Sequence, residues 1–222
     1  MHKSFSATLA AAAAFGALAA PARANEAWYG RADLGWGFAG GAEAPAEVSF
    51  TPPFGGGGDL EGGIMGALGA GYRFDSGLNV EAELSYRDND IEPSIGVRPG
   101  AEARALALLA NAIYEFNADG RLRPFIGAGV GLAQIEASTY NNFVAPADRV
   151  GFDDETTAFA YQLMAGLAVP LGRNLTLDLA FRHFAAPDLK FDGRGSAGVP
   201  RSFSLDYEHQ ALTTGVRFRL GG

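Results

Sequence analysis

From Ala27 to Ala39 the side chains alternate in character with a period of two. Trp28, Gly30, Ala32, Leu34, Trp36 and Phe38 fall in one phase; Tyr29, Arg31, Asp33, Gly35 and Gly37 fall in the other. Successive strand side chains point to opposite faces, so such a segment has one apolar face and one that is charged or small. The pattern returns along the chain. Ile64, Leu68, Ala70, Tyr72 and Phe74 oppose Met65, Ala67, Gly69, Gly71 and Arg73, and Leu78, Val80, Ala82, Leu84 and Tyr86 oppose Asn79, Glu81, Glu83, Ser85 and Arg87. Leu106, Leu108, Ala110, Ala112, Tyr114 and Phe116 oppose Ala107, Asn111 and Glu115, with Leu109 and Ile113 blurring that strand. Further strands start at Ile126 (against Gly127, Gly129 and Gly131), Phe159, Leu175 and Leu212. In the last two, Asp178, Arg182 and Arg217 lie on the small or charged face. Eight strands result, and an even number is what a closed antiparallel outer-membrane barrel requires.

The connections alternate as well. Those around Asp75-Ser76-Gly77, Asn117 to Gly120 and Pro170 to Asn174 are short, whereas Gly40–Leu60, Asp88–Glu102, Ser138–Glu155 and Ala185–Asp206 read as long polar loops. Tight turns at one end and long loops at the other are the barrel signature, with the turns in the periplasm. Proline, which cannot donate to a ladder, should avoid strand interiors. Pro124 and Pro170 fall at strand ends and the other eight prolines after residue 24 fall in the long loops.

Residues 1–24 read as a signal peptide: Lys3, an Ala-rich run from Thr8 to Ala20, then Ala22-Arg23-Ala24 before a cleavage point at Asn25. The run is shorter than the roughly 20 residues that span a bilayer. Residues 25–222 then form the barrel domain, and no later stretch reaches the 18 or so consecutive apolar residues of a transmembrane helix. Losing Lys3 and Arg23 takes 17 Lys+Arg to 15 against 25 Asp+Glu, so the charge moves from −8 to −10. That disfavours a nucleic-acid partner, which needs a basic patch. With no Cys, disulfides, thiolate metal sites and Cys nucleophiles are excluded.

An apolar face could point into a soluble lipocalin-like barrel or outward to lipid. The aromatics favour lipid. Trp28, Tyr72, Phe74, Tyr114, Phe116 and Phe218 lie near the turn ends, and Trp36, Phe38, Tyr86, Phe159, Tyr161 and Phe181 lie toward the loops, as two interfacial girdles would. The opposite face is rich in Gly and Ala, which suits a narrow interior. Arg104, at the loop end of its strand, is placed to meet a lipopolysaccharide phosphate.

Ala110 to Phe116, Arg123 to Gly131, Leu179 to Phe184 and Gly215 to Leu220, in this order and spacing, resemble the small eight-stranded OmpA-like or porin-family outer-membrane proteins of Gram-negative bacteria. The likeness runs over the whole chain after the leader. It implies an outer-membrane location and handling by the barrel-assembly machinery. Such proteins usually end on an aromatic residue, whereas this chain ends Leu220-Gly221-Gly222.

The charges on the small-residue face are Arg31, Asp33, Arg73, Glu81, Glu83, Asp178, Arg182 and Arg217. Closure should bring Arg217 near Arg31 and Asp178, and the hairpin should bring Arg73 near Glu81. Buried charges must be paired, so these residues form either a salt-bridge plug or a gated ion path. His183-Phe184-Ala185 lacks the serine of a lipid A deacylase's His-x-Ser, and His183, Glu208 and Ser202 or Ser204 have no fixed geometry. His209 is expected toward the outer surface. Gly127, Gly129 and Gly131 alternate within one strand and form no nucleotide loop. Asp88 to Glu92 and Asp153 to Glu155 read as solvated acidic loops that divalent cations could bridge to lipopolysaccharide. The expectation is therefore an all-β, eight-stranded antiparallel up-and-down transmembrane barrel without cofactor, metal site or catalytic residues. It is expected to be monomeric, with an envelope-structural and surface role; a narrow porin-like channel is the alternative and a lipid-modifying enzyme a more distant one.

Overall fold

A computed structural model describes residues 27–43, 57–59, 62–91, 101–140, 151–194 and 200–220. The leader, its cleavage point and Gly221-Gly222 lie outside them. The strands are β1 (Ala27–Glu43), β2 (Gly57–Asp59), β3 (Ile64–Arg73), β4 (Leu78–Ile91), β5 (Ala101–Glu115), β6 (Arg123–Tyr140), β7 (Gly151–Pro170), β8 (Leu175–Arg194) and β9 (Pro200–Leu220). Each long strand pairs antiparallel with the next, and β9 pairs back onto β1, closing a barrel of eight long strands. The short β2 pairs with Gly41 to Glu43 of β1, beyond the start of β3.

Closure is staggered. Following ladder partners from Trp28 leads through Tyr72, Val80, Ala112, Ala128, Leu163, His183 and Gln210, and returns to β1 at Ala39. One of the positions between Trp28 and Ala39 is Phe38, which the ladder skips as a bulge. A stagger of this size tilts the strands by roughly 40° to the barrel axis.

Three tight turns share one end. Gly77, with φ 85, turns β3 into β4, and the Phe74 N–H donates to the Leu78 carbonyl at 2.8 Å. Asn117 takes the left-handed conformation (φ 54) between β5 and β6. The Leu171 N–H donates to the Leu175 carbonyl between β7 and β8 at 2.9 Å.

At the other end the strands run far into the segments read as loops. All four of those segments are partly strand, including Asp88 to Ile91 and Asp153 to Glu155, which are ladder residues and not acidic loops. The alternation that reveals them is inverted. In the bilayer zone large apolar residues face out, with Leu34 73% and Leu68 64% exposed. Above it Ala103, Ala105, Ile135, Ala137, Leu189, Phe191, Leu205 and Tyr207 are buried inside, while Glu102, Gln134, Glu136, Lys190, Asp192, Ser204 and Asp206 face outward. These segments meet water outside and packed side chains within, so the polar phase is the outer one.

Of the eight prolines read as loop residues, the two among the described residues fall in strands. Pro200 opens β9, and Pro187 lies within β8 at a register shift between Ala186 and Leu189. There Pro187 and Asp188 together oppose Asp206. Asp188 has φ 57, and its N–H donates to Asp206 Oδ1 at 2.9 Å. A bulge tolerates proline because its ladder is already broken.

Candidate functional site: the charged lumen

Because every second residue of each strand points inward, the lumen is filled by side chains from all eight long strands. The eight charges singled out in the sequence, Arg31, Asp33, Arg73, Glu81, Glu83, Asp178, Arg182 and Arg217, are all buried there. Most join one chain of alternating sign. Glu83 meets Arg182 at 2.7 Å, and Arg182 meets Asp33 at 3.0 Å. Asp33 meets Arg31 at 2.9 Å, and Arg31 approaches Asp178 at 3.7 Å. Asp178 then takes Arg217 at 2.9 Å. Arg217 also contacts Glu115, which pairs with Arg73 at 2.8 Å.

Two placements differ from expectation. Arg73 pairs with Glu115 and not with Glu81, because the register sets Arg73 opposite Asn79 while β5 brings Glu115 to the same turn end. Glu81 instead approaches Arg31 at 3.8 Å and accepts from Asn111 Nδ2 at 3.3 Å. Arg31 and Arg217 are direct ladder partners, as closure demands, and Asp178 lies between their charges.

Several members were not singled out from the sequence. Glu115 is the hub of the turn end, although its inward phase was readable. Asn111 donates to both Glu81 and Glu83, and Gln162 of β7 donates to Glu83 at 3.1 Å and to Asn111 Oδ1 at 2.8 Å. β6 contributes space instead of charge. A Cβ on Gly129 would sit 1.9 Å from Asn111 Oδ1, and one on Gly131 would sit 2.0 Å from the Leu108 carbonyl oxygen. Ile113, Phe125, Met164, Ala168 and Ala180 fill the remaining wall as an apolar cluster.

Above the charges stands Arg87, fully buried. It donates to Ser85 Oγ at 3.0 Å and stacks over the Phe184 ring at 3.9 Å. Among the described residues it has no carboxylate partner. His209 is also buried in the lumen rather than at the outer surface, against Gly37. An apolar layer then closes the top: Phe184, Leu189, Phe191, Leu205 and Tyr207 pack against the alanines of β5 and β6.

Outside, Trp28, Trp36, Phe38, Phe74, Tyr114, Phe116, Phe159, Phe181 and Phe218 are exposed, while Tyr72, Tyr86 and Tyr161 are half-buried. Edge-to-face pairs Trp28–Tyr72, Tyr72–Phe74 and Tyr114–Phe116 tie the turn-side row together. Arg104 is held by Asp88 and Glu102 at 3.4 and 2.7 Å. The hydrolytic constellation does not assemble. His183 faces outward beside Tyr161 and pairs in register with Gln210, Glu208 pairs with Ala185, and Ser202 donates to Asp192.

A closed barrel with an apolar, aromatic-edged outside and a charged inside is the construction of an outer-membrane protein. The chain belongs to the family described as outer membrane protein beta-barrel domain, whose model matches residues 8–219, and it is a protein of the bacterial outer membrane. It is 30% identical over 198 residues to uncharacterized proteins of Brucella abortus and Brucella melitensis, covering 73% of this chain and 69% of each relative. Among solved structures, Neisserial surface protein A is similar at 17% identity and a TM-score of 0.53, over 87% of this chain and 97% of that one. The outer membrane protein OprG from Pseudomonas aeruginosa is similar at 12% identity and a TM-score of 0.57, over 90% and 98%. At these identities the likeness is one of fold alone.

Proposed function

We propose that this protein is a closed, non-conducting wall element of the outer membrane whose work is structural and surface-exposed. The observation that carries the reading is the run Glu83–Arg182–Asp33–Arg31–Asp178–Arg217–Glu115–Arg73 across the lumen. A solute passing through must separate several of these pairs, and opening one buried pair costs about 3–5 kcal/mol. The mostly apolar layer above, from Phe184 to Tyr207, adds a second barrier that contains no charged group.

The reading assigns no reaction and no cofactor. Its partners are the lipid around the apolar belt, the barrel-assembly machinery during insertion, and lipopolysaccharide at the outer rim. There Arg104 stands among Asp88, Glu102, Glu136 and Glu155, acids that bridging divalent cations would link to lipid phosphate. The barrel acts as a monomer. Single-channel recording of the purified protein in planar bilayers tests the central claim. Traces at background level are expected; steady openings well above it would replace the plug with the narrow channel, in which the ion pairs exchange partners.

A further inference from the structure

The buried charges balance, with Arg31, Arg73, Arg87, Arg182 and Arg217 facing Asp33, Glu81, Glu83, Glu115 and Asp178. At the turn end Arg123, Arg173 and Arg219 add to that balanced set. A cavity of about 60 Å3 opens there, and its wall includes Arg73, Arg123, Arg173, Arg217 and Arg219 but no carboxylate residue. Five of the chain's 17 Lys+Arg thus converge on one small space in a protein of net charge −8.

The acids behind the wall are already engaged. Glu115 serves Arg73 at 2.8 Å, Arg123 at 3.9 Å and Arg217 besides. Asp178 is bidentate to Arg217 Nη2 at 3.1 and 2.9 Å. Asp119, in the turn between β5 and β6, is the other acid near Arg123. Among the described residues Arg173 and Arg219 have no carboxylate partner. Arg73 is nine-tenths buried and lines the cavity, with Nη1 on Glu115 at 2.8 Å and Nη2 donating to the Ala118 carbonyl at 3.1 Å, so it supplies fixed charge while Arg173 and Arg219 supply the open donors.

We propose that this turn-side cavity binds a phosphate oxyanion, either free or as the phosphodiester of an inner-leaflet phospholipid headgroup. Guanidinium forks match phosphate oxygens in pairs. The volume holds about four waters, the space of one four-oxygen anion. The turn end faces the periplasm, so the ligand arrives from that compartment or from the lipid beside it.

The test uses the mature barrel refolded in a maltoside detergent, which carries no phosphate. Sodium phosphate is titrated calorimetrically at low salt. One saturable site is expected, weakened at least tenfold by Arg173→Gln with Arg219→Gln and weakened by raising ionic strength. Lys190→Gln, exposed at the opposite end, should leave it unchanged. In a second arm phosphatidylglycerol is added to the micelles and bound lipid is counted by native mass spectrometry. Saturable phosphate binding identifies the free anion, and lipid retention without phosphate binding identifies the headgroup; either supports the site when the double variant abolishes it. Binding that the double variant leaves intact, or no binding in either arm, overturns the proposal. Both arginines lie outside the interior ion-pair chain, so a preserved gel shift between unheated and boiled samples certifies the fold. If the double variant does not insert, Arg173→Gln alone, in an exposed turn, should weaken binding at least threefold, and no change would overturn the proposal.

Discussion

Arg182 and Arg87 are both fully buried guanidinium groups in one lumen, and their neighbours make them opposites. Arg182 bridges Asp33 and Glu83. Replacing it with Met leaves two buried carboxylates short of a partner and is expected to cost about 3–5 kcal/mol. That would appear as a lower temperature at which the unheated gel band converts to the boiled one. Arg217→Ala strips Asp178 and Glu115 in the same way and should cost a similar amount. Among the described residues Arg87 has no carboxylate within ion-pair distance; it donates to Ser85 Oγ and stacks over the Phe184 ring. Arg87→Met should therefore stay within about 1 kcal/mol of the parent, since a buried charge without an ion partner contributes little that a packed apolar chain does not. A conversion temperature for Arg87→Met as low as that of Arg182→Met would show a missing acid near Arg87. The inward phase of both residues was legible locally. Their partners were not: Arg182 meets residues 99 and 149 positions away.

At the scale of the strand, β6 and β8 each hold a sharp constraint. Gly131 of β6 lies so close to β5 that a Cβ would meet the Leu108 carbonyl oxygen at 2.0 Å, whereas a Cβ on Gly30 of β1 meets nothing within 4 Å. Gly131→Ala should cost about 1–3 kcal/mol through overpacking against backbone, and Gly30→Ala should be neutral in the same melting assay. In β8 the bulge at Pro187 and Asp188 shifts the phase by one residue. It points Leu189 and Phe191 inward and leaves Lys190 and Asp192 in water. Asp188→Val places a β-branched residue at φ 57 and should cost about 1–2 kcal/mol; Asp188→Gly should be tolerated. Equal melting of the two variants would mean that the bulge relaxes. The change from spacing two to spacing three between Ala186 and Leu189 stands in the sequence, but a polar stretch containing proline reads first as a loop.

The whole molecule is a polarised cylinder. Its turn end gathers Arg73, Arg123, Arg173, Arg217 and Arg219, and the outer faces of its far end carry Asp88, Asp90, Glu102, Glu136, Asp153, Glu155, Asp188, Asp192, Asp206 and Glu208. Between them lies the apolar belt. The β1–β9 seam runs from Trp28–Leu220 to Glu43–Asp206, so no edge is left unpaired within the belt. A barrel closed in this way should resist SDS until heated. Unheated and boiled samples of the outer-membrane fraction should therefore run at different positions, and a truncation removing residues 208–220 should abolish the difference. A full-length band that does not shift would contradict closure.

What the sequence determined by itself is what depends on the two-residue period inside the bilayer zone. That Arg31 and Asp33 face the lumen and Leu34 faces lipid follows from their neighbours along the chain, and so do the number of barrel strands and the end that carries the turns. What the tertiary structure decided depends on the stagger around the ring. A register that starts at Trp28 and returns at Ala39 sets which lumen side chains share a level, and so gives Arg73 to Glu115 and not to Glu81. The upper strands were hidden for a related reason. Above the bilayer the solvent outside becomes water, the apolar and polar phases exchange faces, and Leu189, Phe191, Leu205 and Tyr207 become core only once the barrel has closed around them.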